Sequence, residues 1–337
     1  MPATRQPPRR PPLVHLVPPR APCYRPAAMI EVFLKTLPFF GLIGLGYWAG
    51  RTGFFSAEAT AYLTKFVFYF ALSAMLFRFS ANLSLAEIFD WRFVAAYLWG
   101  CGVVYALALA VAFARGRPVT EAAMEGQCAV IGNTGFLGVP MLVVLLGPQA
   151  VGPVILVLAI DLVVFSSLIT IVITAAREGR FSPAIFGTLG MGLLRNPMIV
   201  SMSLGFAWSS TGLAVPGPVN EFLAILGAAA TPGALFAIGA SLATKAADRV
   251  SVAAWLSVAK LLLHPAAVAF AALVLFHVDR QAAVVMIAAA SLPVAGNVYM
   301  LAQHYGVAPQ RVSSAILIST AASILTIPLA IAWTAGL

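Results

Sequence analysis

Residues 37–54 read LPFFGLIGLGYWAGRTGF, and residues 196–213 read NPMIVSMSLGFAWSSTGL. Five residues of the first stretch recur in the second at a constant spacing of 159 positions. They are Pro38 and Pro197, Leu45 and Leu204, Gly46 and Gly205, Thr52 and Thr211, and Gly53 and Gly212. Matches at the same spacing continue along both halves, as with Ala71 and Ala230 or Met141 and Met300. The chain is therefore predicted to be a tandem duplication.

The composition predicts that both halves lie in a lipid bilayer. Apolar residues make up 61% of the chain and charged residues 9%, with a mean hydropathy of +0.96, far outside the range of soluble domains. A spanning helix needs about 20 mostly apolar residues. Ten such segments are predicted, centred roughly on residues 40, 69, 102, 135, 162, 198, 232, 262, 292 and 322.

Five spans fall in each half, which we delimit as residues 29–178 and 179–337. Because five is odd, the second half must enter the membrane from the opposite face. We therefore predict an all-α integral membrane protein built from two inverted five-helix repeats. A membrane chain of this kind is typical of transporters.

The basic residues between the spans predict the orientation. Loops on the inner side of a membrane are enriched in Lys and Arg. The distribution of basic residues here favours a protein of the cell inner (plasma) membrane with both termini on the outer side. The predicted inner residues are Arg51, Arg115, Arg117, Arg177, Arg180, Arg195, Lys245, Arg249 and Arg311. The predicted outer residues are Arg78, Arg92 and Arg280.

Residues 1–28 conflict with this orientation. They carry five arginines and no acidic residue, and they lack the continuous apolar core of a signal peptide. We interpret them as a disordered tail or as a mis-annotated start, with translation beginning at Met29. The tail holds more than half of the formal charge of +9, so this charge does not indicate a nucleic-acid partner.

Two predicted spans contain helix-breaking residues in matching places. The fourth span reads GNTGFLGVP over residues 132–140, and the ninth reads SLPVAGN over residues 291–297. Proline removes a backbone donor and glycine weakens a helix, so both spans are predicted to unwind near the membrane midplane. Unwound backbone must line a polar cavity or be buried in protein. Matching breaks favour a substrate site, although a proline kink that only shapes packing is the alternative.

Four motifs give the chain a family resemblance. They are N-T-G-x-x-G-x-P in the fourth span, S-L-P-x-x-G-N in the ninth, R-N-P at the start of the sixth and K-L-L-L-H-P in the eighth. With these motifs in ten spans, residues 29–337 resemble a bacterial member of the auxin efflux carrier family. The resemblance implies a fold similar to bile-acid symporters and sodium/proton antiporters, in which helices four and nine cross at their unwound points.

The resemblance also implies a scaffold of helices 1, 2, 6 and 7 and a mobile transport unit of helices 3 to 5 and 8 to 10. It implies a homodimer formed through the scaffold, and substrates that are small organic anions such as auxin, malonate or related carboxylates. Within the scaffold, Gly41, Gly44 and Gly46 of the first span would permit close helix contact. Tight packing without any motion is the alternative for these glycines.

The polar residues of the spans agree with an anionic substrate. Asp161 and Lys260 are the formally charged residues predicted near the middle of spans, where ionisable groups are costly and usually functional. Lys260 is the candidate for attracting the anion, with a salt bridge to Asp161 or a snorkelling side chain as the alternatives. His264 lies one turn further and is a candidate for proton coupling, or a structural hydrogen-bond partner.

The unwound segments supply the other candidate substrate-binding residues. The half-helices that begin there carry partial positive charge and free amide donors. Asparagine and threonine side chains beside the breaks would bind a carboxylate by hydrogen bonds, and the glycines and prolines shape the site. The set is Asn133, Thr134, Gly135, Pro140, Pro293 and Asn297.

Other function classes lack their motifs. The three cysteines have no metal-ligand spacing, and there is no P-loop and no H-E-x-x-H or G-x-S-x-G sequence, so no cofactor and no enzyme activity are predicted. No acid cluster is evident, which argues against cation exchange. A proton or sodium ion remains a candidate coupling ion. A sodium- or cation-coupled carrier of another solute, and a non-transporting membrane sensor, remain the alternatives to an organic-anion transporter.

Overall fold

The computed structural model describes residues 26–178, 184–243 and 250–335, which are almost entirely helical. Residues 1–25 of the predicted tail, and Arg180, Lys245 and Arg249, lie outside the described residues. The helices are α1 (Pro26–Arg51), α2 (Ala57–Ala81), α3 (Trp91–Ala114), α4 (Val119–Val130), α5 (Thr134–Leu146), α6 (Pro148–Arg177), α7 (Ala184–Arg195), α8 (Pro197–Ser209), α9 (Gly217–Ala243), α10 (Val250–Leu275), α11 (Arg280–Ala290), α12 (Gly296–Tyr305) and α13 (Pro309–Ala335). A single further turn spans Leu85–Ile88.

Seven of these helices are long and apolar enough to cross a membrane, among the residues that the structure describes. They are α1, α2, α3, α6, α9, α10 and α13. The prediction of a multi-pass membrane protein is therefore supported. The fourth, sixth and ninth predicted spans coincide with the shorter apolar helices α5, α8 and α11, so ten complete spans remain a prediction.

The fourth and ninth predicted spans are each divided into two helices. Helix α4 ends at Val130 and α5 begins at Thr134, while α11 ends at Ala290 and α12 begins at Gly296. The interruptions, residues 131–133 and 291–295, contain Gly132 and Pro293, whereas Gly135, Gly138, Pro140 and Gly296 lie in the helices that follow.

Two close helix contacts recur at the spacing of the sequence repeat. A Cβ built on Gly46 of α1 would lie 2.1 Å from the carbonyl oxygen of Phe236 in α9. Its repeat equivalent in α8, Gly205, would carry a Cβ 2.7 Å from the carbonyl oxygen of Phe77 in α2. The first and sixth predicted spans thus each pack against a helix of the other half through a glycine.

The predicted role of the glycines in the first span is correct for only one of the three. A Cβ on Gly41 or Gly44 would meet no atom of the described residues within 4 Å, so these two mediate no close helix contact within that part of the chain. Close contact is instead completed by Gly239 of α9, where a Cβ would lie 1.9 Å from the carbonyl oxygen of Ile43.

Candidate substrate-binding site

The two interrupted segments cross and bind each other through their backbones. The amide of Asn133 donates to the carbonyl of Pro293 at 2.8 Å, and the amide of Ala295 donates to the carbonyl of Ile131 at 3.1 Å. Between them, Gly132 and Val294 form an isolated antiparallel bridge. Each break therefore satisfies backbone groups that the other exposes, as unwound chain inside a membrane protein requires.

Further hydrogen bonds complete the crossing. The amide of Val294 donates to Oγ of Ser319 in α13 at 3.1 Å. The carbonyl of Asn133 accepts from the amides of Leu137 and Gly138, at 3.0 and 2.9 Å, and so starts the π-helical first turn of α5. Pro140 lies buried in α5, directly after the π-helical turn Thr134–Gly138. The prolines thus shape the crossing through the backbone.

A cavity of about 820 Å³ lies beside the crossing. Its size suits a small-molecule ligand. The side chains or backbone of four predicted site residues line it, namely Asn133, Gly135, Asp161 and Asn297. The lining does not include the other predicted residues, Thr134, Pro140, Pro293, Lys260 and His264.

The cavity wall is mostly apolar with a few polar groups. Phe68 and Phe136 form a parallel stacked pair in it, with ring centroids 6.1 Å apart. The Oδ1 atom of Asn297 is buried and has no hydrogen-bond partner among the described residues. Asn133 makes no side-chain capping bond. Because buried polar atoms are normally paired, this oxygen of Asn297 is an acceptor that a hydrogen-bond donor of a ligand could satisfy.

Asp161 is buried at the edge of the cavity, with 3% of its surface exposed. It begins a π-helical turn of α6 that spans Asp161–Phe165. The hydroxyl of Tyr97 donates to its Oδ1 at 2.9 Å, and the hydroxyl of Thr134 donates to its Oδ2 at 3.4 Å. Thr134 therefore contacts Asp161 behind the cavity wall.

Lys260 is fully buried in the π-helical segment Ala259–Leu263 of α10. Its ammonium donates to the carbonyl of Ala290 at 2.5 Å and lies 3.0 Å from Nδ1 of His264. Ala290 is the last residue of α11, so its carbonyl has lost the amide partner that a continuous helix would supply. Lys260 thus compensates for the break.

Neither alternative predicted for Lys260 is realised. No nitrogen–oxygen distance of 4.0 Å or less joins it to Asp161, and the complete burial of Lys260 excludes snorkelling. The sequence assigned Lys260 to substrate attraction, whereas its ammonium is engaged behind the crossing. A Cβ on Gly132 would lie 3.3 Å from this ammonium, which leaves little room between them.

His264 lies between Lys260 and the polar side chains of α3. Its Nε2 lies 3.1 Å from Sγ of Cys101, and its ring packs edge-on near Tyr97 with centroids 6.0 Å apart. Since Tyr97 binds Asp161, a chain of buried polar side chains runs from the cavity edge to Lys260. At the spacing of the repeat, Lys260 and His264 correspond to Cys101 and Tyr105, so only the second half carries the basic pair.

Sequence reasoning missed a buried ionic network. Glu125 of α4 is 1% exposed, and its carboxylate accepts hydrogen bonds from Arg115 and, at 2.7 Å, from Arg311. Arg311 also contacts Glu121 at 3.0 Å. Glu121 and Glu125 lie one turn apart on α4 and are both paired with arginines, so they form an ion-pair network and not the free acid cluster that cation exchange would need. Their i, i+4 spacing was the available signal.

The cysteines and the potential metal ligands of the described residues can be located individually. Cys101 and Cys128 are buried free thiols, and Cys23 lies outside the described residues. No group of three or more potential metal ligands occurs within the described ranges.

Comparison with known proteins identifies a family and a named relative. Residues 31–331 match the family model described as "Membrane transport protein". A protein of Rhizobium meliloti (strain 1021) named "Putative malonate transporter" is 32% identical over 305 residues, which cover 89% of this chain and 94% of that protein.

Proposed function

Because this chain belongs to the membrane transport protein family, it is a membrane transporter rather than an enzyme, and we propose that it carries small organic anions as a secondary transporter. The substrates would be mono- or dicarboxylates. One observation carries the proposal: a cavity of about 820 Å³ lies against two crossed, unwound segments and is lined by the asparagines beside both breaks.

The chemistry of the crossing supports an anion. The side-chain amides of Asn133 and Asn297 each offer two N–H donors to a carboxylate. Helix α12 begins at Gly296 without a side-chain cap, and the amide of Val298 donates to the carbonyl of Ala295, so the other first amides of the helix lack a partner in a preceding turn. Those amides add the partial positive charge of a helix N-terminus. The name of the Rhizobium relative makes malonate a reasonable first substrate to test.

The proposed architecture is ten spans in two inverted repeats. The glycine contacts of Gly46 with Phe236 and of Gly205 with Phe77 support it, because they are related by the repeat spacing and join the first span to the seventh and the sixth to the second. These four spans are the proposed scaffold, through which two copies would form a homodimer. The remaining helices would slide or rock against it during alternating access.

The contacts around the cavity also bear on the coupling ion. Asp161 lines the cavity and connects through Tyr97 towards His264, so a proton that enters the cavity has buried polar groups to occupy. A sodium ion would need several oxygen ligands, and the carbonyls of Ile131, Asn133 and Pro293 in the unwound segments already accept hydrogen bonds from backbone amides. These contacts favour a proton over sodium.

Counterflow of radiolabelled malonate in proteoliposomes tests the proposal. We expect accumulation with the wild-type protein, suppressed by unlabelled carboxylates and unaffected by amines. Asn133→Ala and Asn297→Ala should each weaken malonate binding by about tenfold to a hundredfold, since a hydrogen bond to a charged group contributes about 1.5–3 kcal/mol. Asn82→Ala is the matched control, because this exposed asparagine at the end of α2 only binds the carbonyl of Arg78.

The experiment has two outcomes that oppose the proposal. If no carboxylate gives counterflow under any ion gradient, the protein is not an organic-anion carrier. If carboxylates are transported and both asparagine variants bind malonate normally, the site is not at the crossing.

A further inference from the structure

The charges that line the cavity are few. Arg195 is the only lysine or arginine among its lining residues, and Asp161 is the only acid, within the described ranges. The other basic lining side chain is His304, whose ring packs on Tyr305 with centroids 4.8 Å apart. An anion in this cavity therefore meets one permanent positive charge.

Other cations near the cavity are engaged elsewhere. Lys260 binds the carbonyl of Ala290 behind the crossing. The guanidinium of Arg177 lies 5.8 Å from the ring centroid of Tyr305 and donates to that residue's carbonyl oxygen. By contrast, no carboxylate of the described residues lies within 4.0 Å of the Arg195 guanidinium.

The backbone holds Arg195 close to the crossing. It is the last residue of α7, and the next residue, Asn196, accepts from the amides of Met198 and Ile199 to start α8. The Cε of Met198 lies 2.4 Å from the position of a Cβ on Gly135. The α7–α8 junction is thus packed against the first turn of α5, and Arg195 belongs to the same cavity as Asn133 and Asn297.

We infer that Arg195 binds a second carboxylate of the substrate and so makes the cavity selective for dicarboxylates. This inference rests on the proposed function. One carboxylate would lie at the asparagines of the crossing and the other on the guanidinium, whose planar fork pairs with two carboxylate oxygens.

The rest of the cavity explains why this residue would decide specificity. Its wall includes Phe68, Phe136 and Leu158. A charged group placed against such side chains without a partner is strongly disfavoured. A monocarboxylate would put its apolar end there and would not need Arg195. A dicarboxylate does need the guanidinium.

Arg195→Gln and Arg195→Lys test the inference, with Arg92→Gln as a control at an exposed position on α3 outside the cavity lining. Counterflow and binding are measured for malonate, succinate and propionate, and Tm in detergent reports folding. We expect Arg195→Gln to weaken binding of both dicarboxylates about tenfold or more, which is about 1.4 kcal/mol, while propionate affinity changes less than twofold. Arg195→Lys should recover part of the loss because it keeps the charge.

The possible failures are distinguishable. If the wild-type protein moves none of the three carboxylates, the proposed function fails, and the inference fails with it. If the wild-type protein moves dicarboxylates and Arg195→Gln, with a wild-type Tm, keeps the same preference over propionate, only the role of Arg195 is overturned. An equal loss for all three substrates at unchanged Tm overturns that role too.

Discussion

At the scale of single residues, the structure shows what the buried lysine, Lys260, contacts. A lysine in the middle of a membrane span is expected to be functional, and Lys260 is an obvious candidate for binding an anion. Its ammonium instead pairs with the carbonyl of Ala290, at the end of a helix that is interrupted for the crossing. The positive charge of Lys260 also lies at the negative C-terminal end of the α11 dipole, which is a stabilising arrangement. Lys260 is thus tied to the integrity of the crossing.

Lys260→Met should lower stability. The substitution leaves the carbonyl of Ala290 with only His264 as a nearby side-chain partner, at 3.2 Å, and an unpaired buried polar group costs about 1–3 kcal/mol. We expect a Tm clearly below that of the wild-type protein, measured in detergent. Malonate affinity of the folded fraction should fall less than in Asn297→Ala.

Lys65→Met is the control for this change, because Lys65 is an exposed lysine of α2 whose ammonium lies 5.5 Å from the ring of Tyr62. It should leave Tm almost unchanged. A Lys260→Met protein with wild-type Tm and abolished malonate binding would return Lys260 to the role of substrate ligand.

At the scale of helices, glycines decide how closely α1 and α9 approach. The contact at Gly46 is with backbone, which cannot rotate away as a side chain can. Small residues at such positions let helices pack closely in membranes, where no hydrophobic effect drives them together. Gly44, two residues earlier, faces open space.

Gly46→Ala and Gly44→Ala should therefore have opposite effects. The first forces α1 and α9 apart, and overpacking of this kind costs about 1–3 kcal/mol. The second adds a good helix former without a clash, which is neutral or stabilising by up to about 1 kcal/mol. Tm values of the two purified variants check this pair, and equal Tm values would contradict the close packing of α1 on α9.

At the scale of the whole molecule, the candidate site lies between the proposed transport unit and the proposed scaffold. Asn133, Gly135 and Asn297 belong to the proposed transport unit, whereas Arg195 and Met198 belong to the proposed scaffold side. If the transport unit moves during alternating access, this boundary must change with every cycle. Contacts inside the scaffold must persist.

A reversible crosslink tests that motion. Gly135→Cys with Met198→Cys, joined by a short methanethiosulfonate crosslinker, should abolish malonate counterflow, and reduction should restore it. Phe55→Cys with Phe236→Cys is the control, because these rings lie 5.1 Å apart within the scaffold. The crosslinked control should keep its activity. Unchanged counterflow in fully crosslinked Gly135→Cys/Met198→Cys protein would exclude movement at this boundary.

Some properties of the protein could be read along the chain. Average composition predicts insertion into a membrane, the constant spacing of matching residues predicts the duplication, and local glycine and proline residues predict the two breaks. None of these predictions requires knowledge of tertiary contacts. The family resemblance carried by four short motifs is confirmed by the match over residues 31–331.

Three-dimensional packing decided which polar side chains reach the cavity. Asp161 and Lys260 both lie in π-helical turns, which shift the facing of later residues away from regular helical spacing.

The pairing of charges was equally a matter of tertiary structure. Glu125 and Arg311 are 186 positions apart and meet only because α4 and α13 pack together. Lys260 finds its partner at Ala290 for the same reason, and Arg195 is left facing the cavity. Sequence identifies which groups are costly to bury in a membrane, whereas the fold determines which of them are neutralised internally and which are left for a ligand.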